Sequence, residues 1–209
     1  MHLSIAFSSS VVFIAAVGGF VRHTWPSRMG VLEGRFLGEL HSRTVPVLIK
    51  VFHAITMLSN TEVLLVLLPL IGLILLKQGM TRGFTHLLLV ATAGGGALTF
   101  LLKELFGRAR PGYQMLHVPG YSFPSGHSSI SFCLFGSLAY LLYKSHLPKW
   151  QKYLGIVACG VLVLAIGFSR LYLGVHYPTD VIAGYFAGAI WLTGCIFAYR
   201  RFCRVNPAE

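Results

Sequence analysis

Long apolar runs, broken by short polar segments, dominate the chain. A helix that crosses a bilayer needs about 20 mostly apolar residues. Six segments approach that length: 3–21, 61–77, 84–106, 127–144, 152–169 and 179–199, with Asn60 placed to cap the second. The pattern predicts an all-α fold, a six-transmembrane-helix bundle. Between the first two spans, Met29, Leu32, Phe36, Leu37 and Leu40 share one helical face, with Glu33, Arg35 and Glu39 elsewhere. Residues 46–58 are amphipathic again, interrupted by Lys50 and His53. Two short interfacial helices lying on the membrane fit this pattern, and so does ordinary packing against the bundle. Segment 3–21 has no charged leading region and no clear small-x-small cleavage site, so it reads as a retained helix rather than a secretory leader.

Small residues mark where helices meet. Gly94, Gly95 and Gly96 open the third span to close approach, and Gly184 and Gly188 form a GxxxG on the sixth. Packing within the monomer is the first reading of both, dimerisation the second. No internal repeat, low-complexity stretch or linker interrupts the sequence, which reads as one domain over 1–209.

Composition sharpens the membrane reading. Hydrophobic residues make up 55% of the chain and charged residues 11%, about half the usual charged share, too few to build the surface of a water-soluble domain. The net charge of +11 would suggest nucleic acid in a soluble protein. Beside apolar spans, basic residues instead set topology and meet anionic lipid, so no nucleic-acid partner is expected. With the N-terminus inside, eight Lys and Arg face inward and nine outward. Four of the nine, Lys103, Arg108, Arg110 and Arg170, belong to the polar clusters described next. Discounting them favours an internal N-terminus by eight to five. Cys133, Cys159, Cys195 and Cys203 show no C-x-x-C or C-x-x-H spacing and read as small hydrophobes, with neither zinc nor a disulfide framework implied.

Six spans bring the end of the third, the start of the fourth, the end of the fifth and the start of the sixth to one face. Unusual polar residues sit at those places: Lys103 and Arg110, Ser125 and His127, Arg170, His176 and Asp180, the only aspartate in the chain. Ionisable groups near membrane spans are costly and mark function. Three converging cations suit a di- or trianionic group, since arginine forks match phosphate oxygens and lysine adds a point charge. Ser125 and Gly126 open a helix after Pro124, where free N–H groups and the dipole also favour phosphate. Two histidines complete a catalytic pair, one attacking phosphorus and one protonating the leaving oxygen. A carboxylate on the attacking imidazole fixes its tautomer. Fixed cations can stabilise the transition-state charge, so this chemistry requires no metal and no cofactor.

These segments resemble the signature of the type 2 phosphatidic acid phosphatase family, which also includes vanadium haloperoxidases. K-x6-R-P is KELFGRARP, from Lys103 to Arg110 and Pro111; P-S-G-H is Pro124 to His127; S-R-x5-H-x3-D is SRLYLGVHYPTD, from Ser169 and Arg170 through His176 to Asp180. The resemblance implies that His176 is the nucleophile, Asp180 its orienting partner and His127 the general acid, later the base for water. It implies that Lys103, Arg110, Arg170, Ser125 and Gly126 hold the phosphate. Arg108 has no defined position in the motif and is assigned a headgroup contact. Tyr113, Tyr121, Phe123 and Tyr172 are candidates to line a groove for an acyl or prenyl chain, with an aromatic interface belt as the alternative.

The expected function is a metal-independent lipid phosphate or diphosphate phosphohydrolase acting through a phosphohistidine. Undecaprenyl diphosphate, phosphatidylglycerol phosphate and phosphatidic acid are the expected substrates. The expected setting is a bacterial-type cell membrane with the site on the extracytoplasmic face, the bilayer and its phosphate lipid as partners, and no obligate protein partner. A phosphotransferase using the same phosphohistidine is the alternative within the family. A vanadate-dependent oxidase fits the motifs but not the apolar spans. A non-enzymatic lipid-phosphate binder or transporter would be free to lose the nucleophile or the acid, and both are present.

Overall fold

A computed structural model of the chain describes residues 30–77 and 82–205, together with Val12, Ala16 and Gly19. The described residues form seven helices and no strand: α1 (Gly30–Ser42), α2 (Pro46–Met57), α3 (Thr61–Lys77), α4 (Arg82–Phe106), α5 (Gly126–Lys144), α6 (Lys149–Tyr172) and α7 (Pro178–Val205). Apart from those three residues, the predicted span 3–21 lies outside the described residues.

Proline and serine set several helix starts. Pro46 and Pro178 occupy first-turn positions, where the missing N–H costs nothing. Ser125 caps α5 from an extended conformation, its hydroxyl 3.4 Å from the Ser128 amide and accepting a 2.9 Å bond from the Ser128 hydroxyl.

Helix α5 occupies the centre and packs on α4, α6 and α7, while α2 and α1 lie on α6 and α3 lies on α4. Its position explains its composition. A helix surrounded by other helices has little lipid to face, so Ser128, Ser129, Ser131 and Ser137 are all buried. Close approach depends on glycine at two points of the GxxxG. A Cβ at Gly184 would stand 2.5 Å from the Ser125 carbonyl oxygen, and one at Gly188 2.8 Å from that of Ser129. The motif therefore seats α7 on α5 within the monomer, as the first reading had it. Cys133 and Cys195 are buried in one apolar cluster with Leu87, Ala91 and Leu192.

Gly83–Phe106, Lys149–Tyr172 and Pro178–Arg201 are each long and apolar enough to cross a membrane. Helices α2 and α3, bent by 51° at their joint, qualify only as a pair. Among the described residues three helices thus meet the length and composition of a span, or four with the bent pair, and the count of six is not confirmed.

The amphipathic helices form where expected, and α1 buries only part of its apolar face. Glu33 and Leu37 are its buried residues, while Leu32 and Phe36 are exposed. Glu33, off the apolar face in the sequence pattern, is buried all the same. A buried arginine, described below, draws the carboxylate inward and leaves apolar side chains outside.

Candidate active site

His176 and Asp180 occupy the turn from α6 into α7. Gly174 makes this turn possible. Its φ is +68°, and a Cβ there would lie 2.2 Å from the Tyr113 carbonyl oxygen. The sequence reading passed over Gly174, although a glycine two residues before the histidine signals such a turn. Asp180 is fully buried and His176 nearly so. Nδ1 of His176 lies 3.3 Å from Oδ2 of Asp180, which also accepts a 2.9 Å bond from the Tyr177 amide. Arg110 Nη1 sits 3.4 Å from Nε2 of the same imidazole. With Asp180 accepting at Nδ1 and a guanidinium donating toward Nε2, the neutral ring carries its proton on Nδ1 and its lone pair on Nε2. Burial pushes the His176 imidazole down to about 3, against the pull of Asp180, with Arg170 and Lys103 adding to the fall.

Arg110 is held by the carbonyl oxygens of Pro119, Gly120 and Val175, at 3.2, 3.1 and 2.9 Å. Burial lowers its guanidinium from the ordinary value, while Asp180 opposes that change. Lys103, at the end of α4, donates to the Tyr121 carbonyl at 2.5 Å. Arg170 is buried in the last turn of α6 and donates to the Thr56 hydroxyl at 3.0 Å. Its Nε is buried with no partner among the described residues, an unmet donor beside the site. Ser125 is fully buried at the cap, and its amide donates to the Asp180 carbonyl at 2.9 Å, tying the starts of α5 and α7 together.

One cavity of about 660 Å³ joins these groups. Lys103, Arg110, Gly126, His127, Arg170 and His176 line its polar end, and Leu64, Leu68, Pro69, Ala93, Ala97 and Phe100 of α3 and α4 line the remainder. Six of the eight predicted site residues thus border one space. Ser125 and Asp180 lie directly behind them. A Cβ on Gly126 would meet only Thr99 and Lys103, at 3.8 and 4.0 Å, so no protein neighbour demands glycine there. Among the described residues no three His, Cys, Asp or Glu side chains gather as a metal centre needs.

Two expectations are corrected. Arg108 does not face outward as a headgroup contact. It bridges Asp180 and Glu33, the latter at 3.0 Å, donates to the Thr179 hydroxyl at 3.0 Å and lies 3.9 Å over the Tyr177 ring. Glu33 also accepts from the Thr179 amide at 2.9 Å. Burial raises the Glu33 carboxyl from its ordinary value, and the Thr179 amide and Arg108 oppose that rise. The aromatic groove is not part of this cavity, although Tyr172 lines a separate hollow with Phe36, Leu40 and Leu48. None of Tyr113, Tyr121, Phe123 or Tyr172 lines the cavity. Tyr113 stacks on His41, Phe123 packs edge-on against Phe106, and the Tyr172 hydroxyl accepts from the Val45 amide. The apolar wall comes instead from leucine and alanine on α3 and α4.

Asn60, read from sequence only as a cap, brings its Oδ1 within 2.8 Å of Nε2 of His127. No motif contains it, and 67 residues separate the pair.

The profile of the PAP2 superfamily matches residues 84–203. Over 150 residues the chain is 39% identical to phosphatidylglycerophosphatase B of Bacillus subtilis (strain 168), covering 69% of this chain and 72% of that protein. It is 33% identical over 132 residues to an undecaprenyl-diphosphatase of Sulfolobus acidocaldarius, covering 60% of this chain and 59% of that one. The crystal structure of a transmembrane PAP2 type phosphatidylglycerolphosphate phosphatase from Bacillus subtilis superposes with a TM-score of 0.80 at 28% identity, covering 94% of this chain and 95% of that one. More than half of the chain lies within the matched profile, its three motifs meet at one cavity, and its helices follow a solved member: the chain belongs to the PAP2 superfamily.

Proposed function

We propose that this membrane protein is a metal-independent lipid phosphate phosphohydrolase working through a phosphohistidine. Its relatives are named phosphatases, and it is a hydrolase of the same kind. The observation that carries the mechanism is His176, a neutral imidazole with Nδ1 on Asp180 and Nε2 toward Arg110 at the polar end of a largely apolar cavity.

The substrate phosphate lies among Lys103, Arg110 and Arg170, with Gly126 and the capped start of α5 beneath it. Nε2 of His176 attacks phosphorus as the bond to the leaving oxygen breaks. The leaving oxygen takes a proton from His127. Asp180 stabilises the imidazolium character that develops on His176. Water then attacks the phosphohistidine, giving its proton to His127. The P–N bond breaks and its electron pair returns to Nε2. The cations stabilise the charge of both transition states.

The cavity wall supports a lipid phosphate as substrate. Its apolar end, between α3 and α4, accommodates the first part of an acyl or prenyl chain, and its cationic end takes the phosphate. Phosphatidylglycerol phosphate, undecaprenyl diphosphate and phosphatidic acid all present that combination. The relatives' names favour the first two. The chain acts as a single domain over 1–209 with six spans, in the cell membrane of a bacterial-type cell. The basic-residue count supports a site on the extracytoplasmic face.

The test is phosphate release by purified protein in detergent on those three lipids, with EDTA present and His176→Ala alongside. Release by the unaltered protein alone supports the reading, and the ranking names the lipid. Equal release by His176→Ala overturns the phosphohistidine. A phosphorylated acceptor with little free phosphate turns the assignment to phosphotransfer.

A further inference from the structure

Two of the side chains in the mechanism are held from outside the three motifs, and both holds come from one short stretch. Helix α2 ends at Met57 and α3 begins at Thr61. The joint is tightly closed: the Ser59 amide donates to the Thr56 carbonyl at 3.1 Å, and the Asn60 amide to the Met57 carbonyl at 3.0 Å. Thr56, only 2% exposed, accepts from Arg170 through its hydroxyl. Four residues later, Asn60 meets His127. Ser59 and Thr61, on either side of Asn60, line the cavity, and the Ser59 hydroxyl is buried with no partner among the described residues.

Resting on the phosphatase reading, we propose that the α2–α3 joint is a positioning element in which Asn60 sets the proton-transfer state of His127 and Thr56 sets the direction of Arg170. The chemistry follows from the atoms. An amide oxygen only accepts, so Nε2 of His127 carries the hydrogen that meets Oδ1 of Asn60. The proton that moves in catalysis then belongs to Nδ1. In the first step the Nδ1–H bond of the imidazolium breaks as the leaving oxygen gains its proton. In the second, Nδ1 takes the proton of the attacking water. The two histidines thus have opposite polarity: His176 is anchored at Nδ1 and reacts at Nε2, and His127 is anchored at Nε2 and reacts at Nδ1. Thr56 plays the corresponding part for Arg170. Its bond at Nη1 holds the guanidinium and leaves Nε without a partner among the described residues.

A leaving group that needs no proton separates positioning from packing. The experiment compares a lipid phosphate with p-nitrophenyl phosphate in the full-length protein, using Asn60→Ala, Asn60→Asp, Thr56→Val, Thr56→Ser and His127→Ala. A positioned general acid contributes about 10²–10⁴-fold. Asn60→Ala is therefore expected to slow phosphohistidine formation from the lipid by about tenfold or more in single-turnover quench, with formation from the aryl phosphate changed by less than about threefold and the shared hydrolysis step slowed alike for both, selectivity being read in that first step. Asn60→Asp, which keeps the accepting oxygen, retains lipid turnover. Thr56→Val weakens vanadate inhibition and raises KM about tenfold on both substrates, and Thr56→Ser restores them. Equal loss in that first step on both substrates for Asn60→Ala, with His127→Ala still selective for the lipid, overturns the role of Asn60 alone. Loss of that selectivity in His127→Ala overturns the general acid, and the phosphatase mechanism with it. Unchanged vanadate inhibition in Thr56→Val overturns the role of Thr56.

Discussion

The two oxygens of Asp180 serve different partners: Oδ2 faces Nδ1 of His176 at 3.3 Å, and Oδ1 takes the guanidinium of Arg108. One fully buried carboxylate thus joins the His176 imidazole to an ion-pair network that reaches α1 through Glu33. Orientation of the imidazole and stability of the helix ends depend on the same group.

Asp180→Asn should leave substrate binding in place and lower kcat by about 10²–10⁴-fold, since the amide cannot enforce the Nδ1–H tautomer. Steady-state kinetics on a lipid phosphate checks this, and a rate within tenfold of the unaltered protein removes Asp180 from the mechanism.

Arg108→Gln should act first on stability. Removing one partner of a buried ion pair costs about 3–5 kcal/mol because the other charge is left unpaired. Here two carboxylates, Glu33 and Asp180, would be stranded together. A melting curve in detergent should shift well below that of the unaltered protein, and the double variant Glu33→Gln/Arg108→Gln should recover part of the loss. An unshifted melt would return Arg108 to the headgroup role.

Gly126→Ala separates folding from phosphate binding. The added Cβ meets only ordinary contacts, and alanine is the better helix residue, so stability should hold or rise by up to about 1 kcal/mol. The methyl intrudes on the cavity beside Lys103, so vanadate inhibition and turnover should both fall. Full activity would show that phosphate does not approach this backbone.

Ala97→Phe should block the apolar end of the cavity. KM for a long-chain lipid phosphate should rise severalfold while p-nitrophenyl phosphate hydrolysis holds, because Ala97 lines the wall away from the cations. Equal effects on both substrates would place the chain elsewhere.

The His176 imidazole gives stability a pH dependence of defined sign. Its value falls from 6.5 to about 3 on folding, so between those values the unfolded chain binds the extra proton. Stability from this group is complete above about pH 6.5 and is lost as pH falls toward 3. The melting temperature should drop between pH 7 and 5, and His176→Gln should lessen that drop. Identical slopes would mean that the ring is not held neutral by burial.

The chain's own pattern determined the helices and the motif-bearing half of the site. Segments predicted at 127–144, 152–169 and 179–199 form helices over 126–144, 149–172 and 178–205, because long apolar runs between proline and serine signals leave the backbone little choice. Lys103, Arg110, His127, Arg170 and His176 were identifiable because each lies at a helix end or in the segment just beyond one, and all the ends meet. Tertiary structure alone decided the rest. Glu33 meets Thr179 across 146 residues, Arg170 meets Thr56 across 114, and Asn60 meets His127 across 67, separations at which no periodicity carries information. The orientation of α1, open between the interfacial and the packed reading, was decided for a related reason. Amphipathic patterns point apolar residues inward when the surroundings are water. Where lipid surrounds the protein, apolar side chains such as Leu32 and Phe36 can stay outside, and the buried face goes to the charge whose partner is already there.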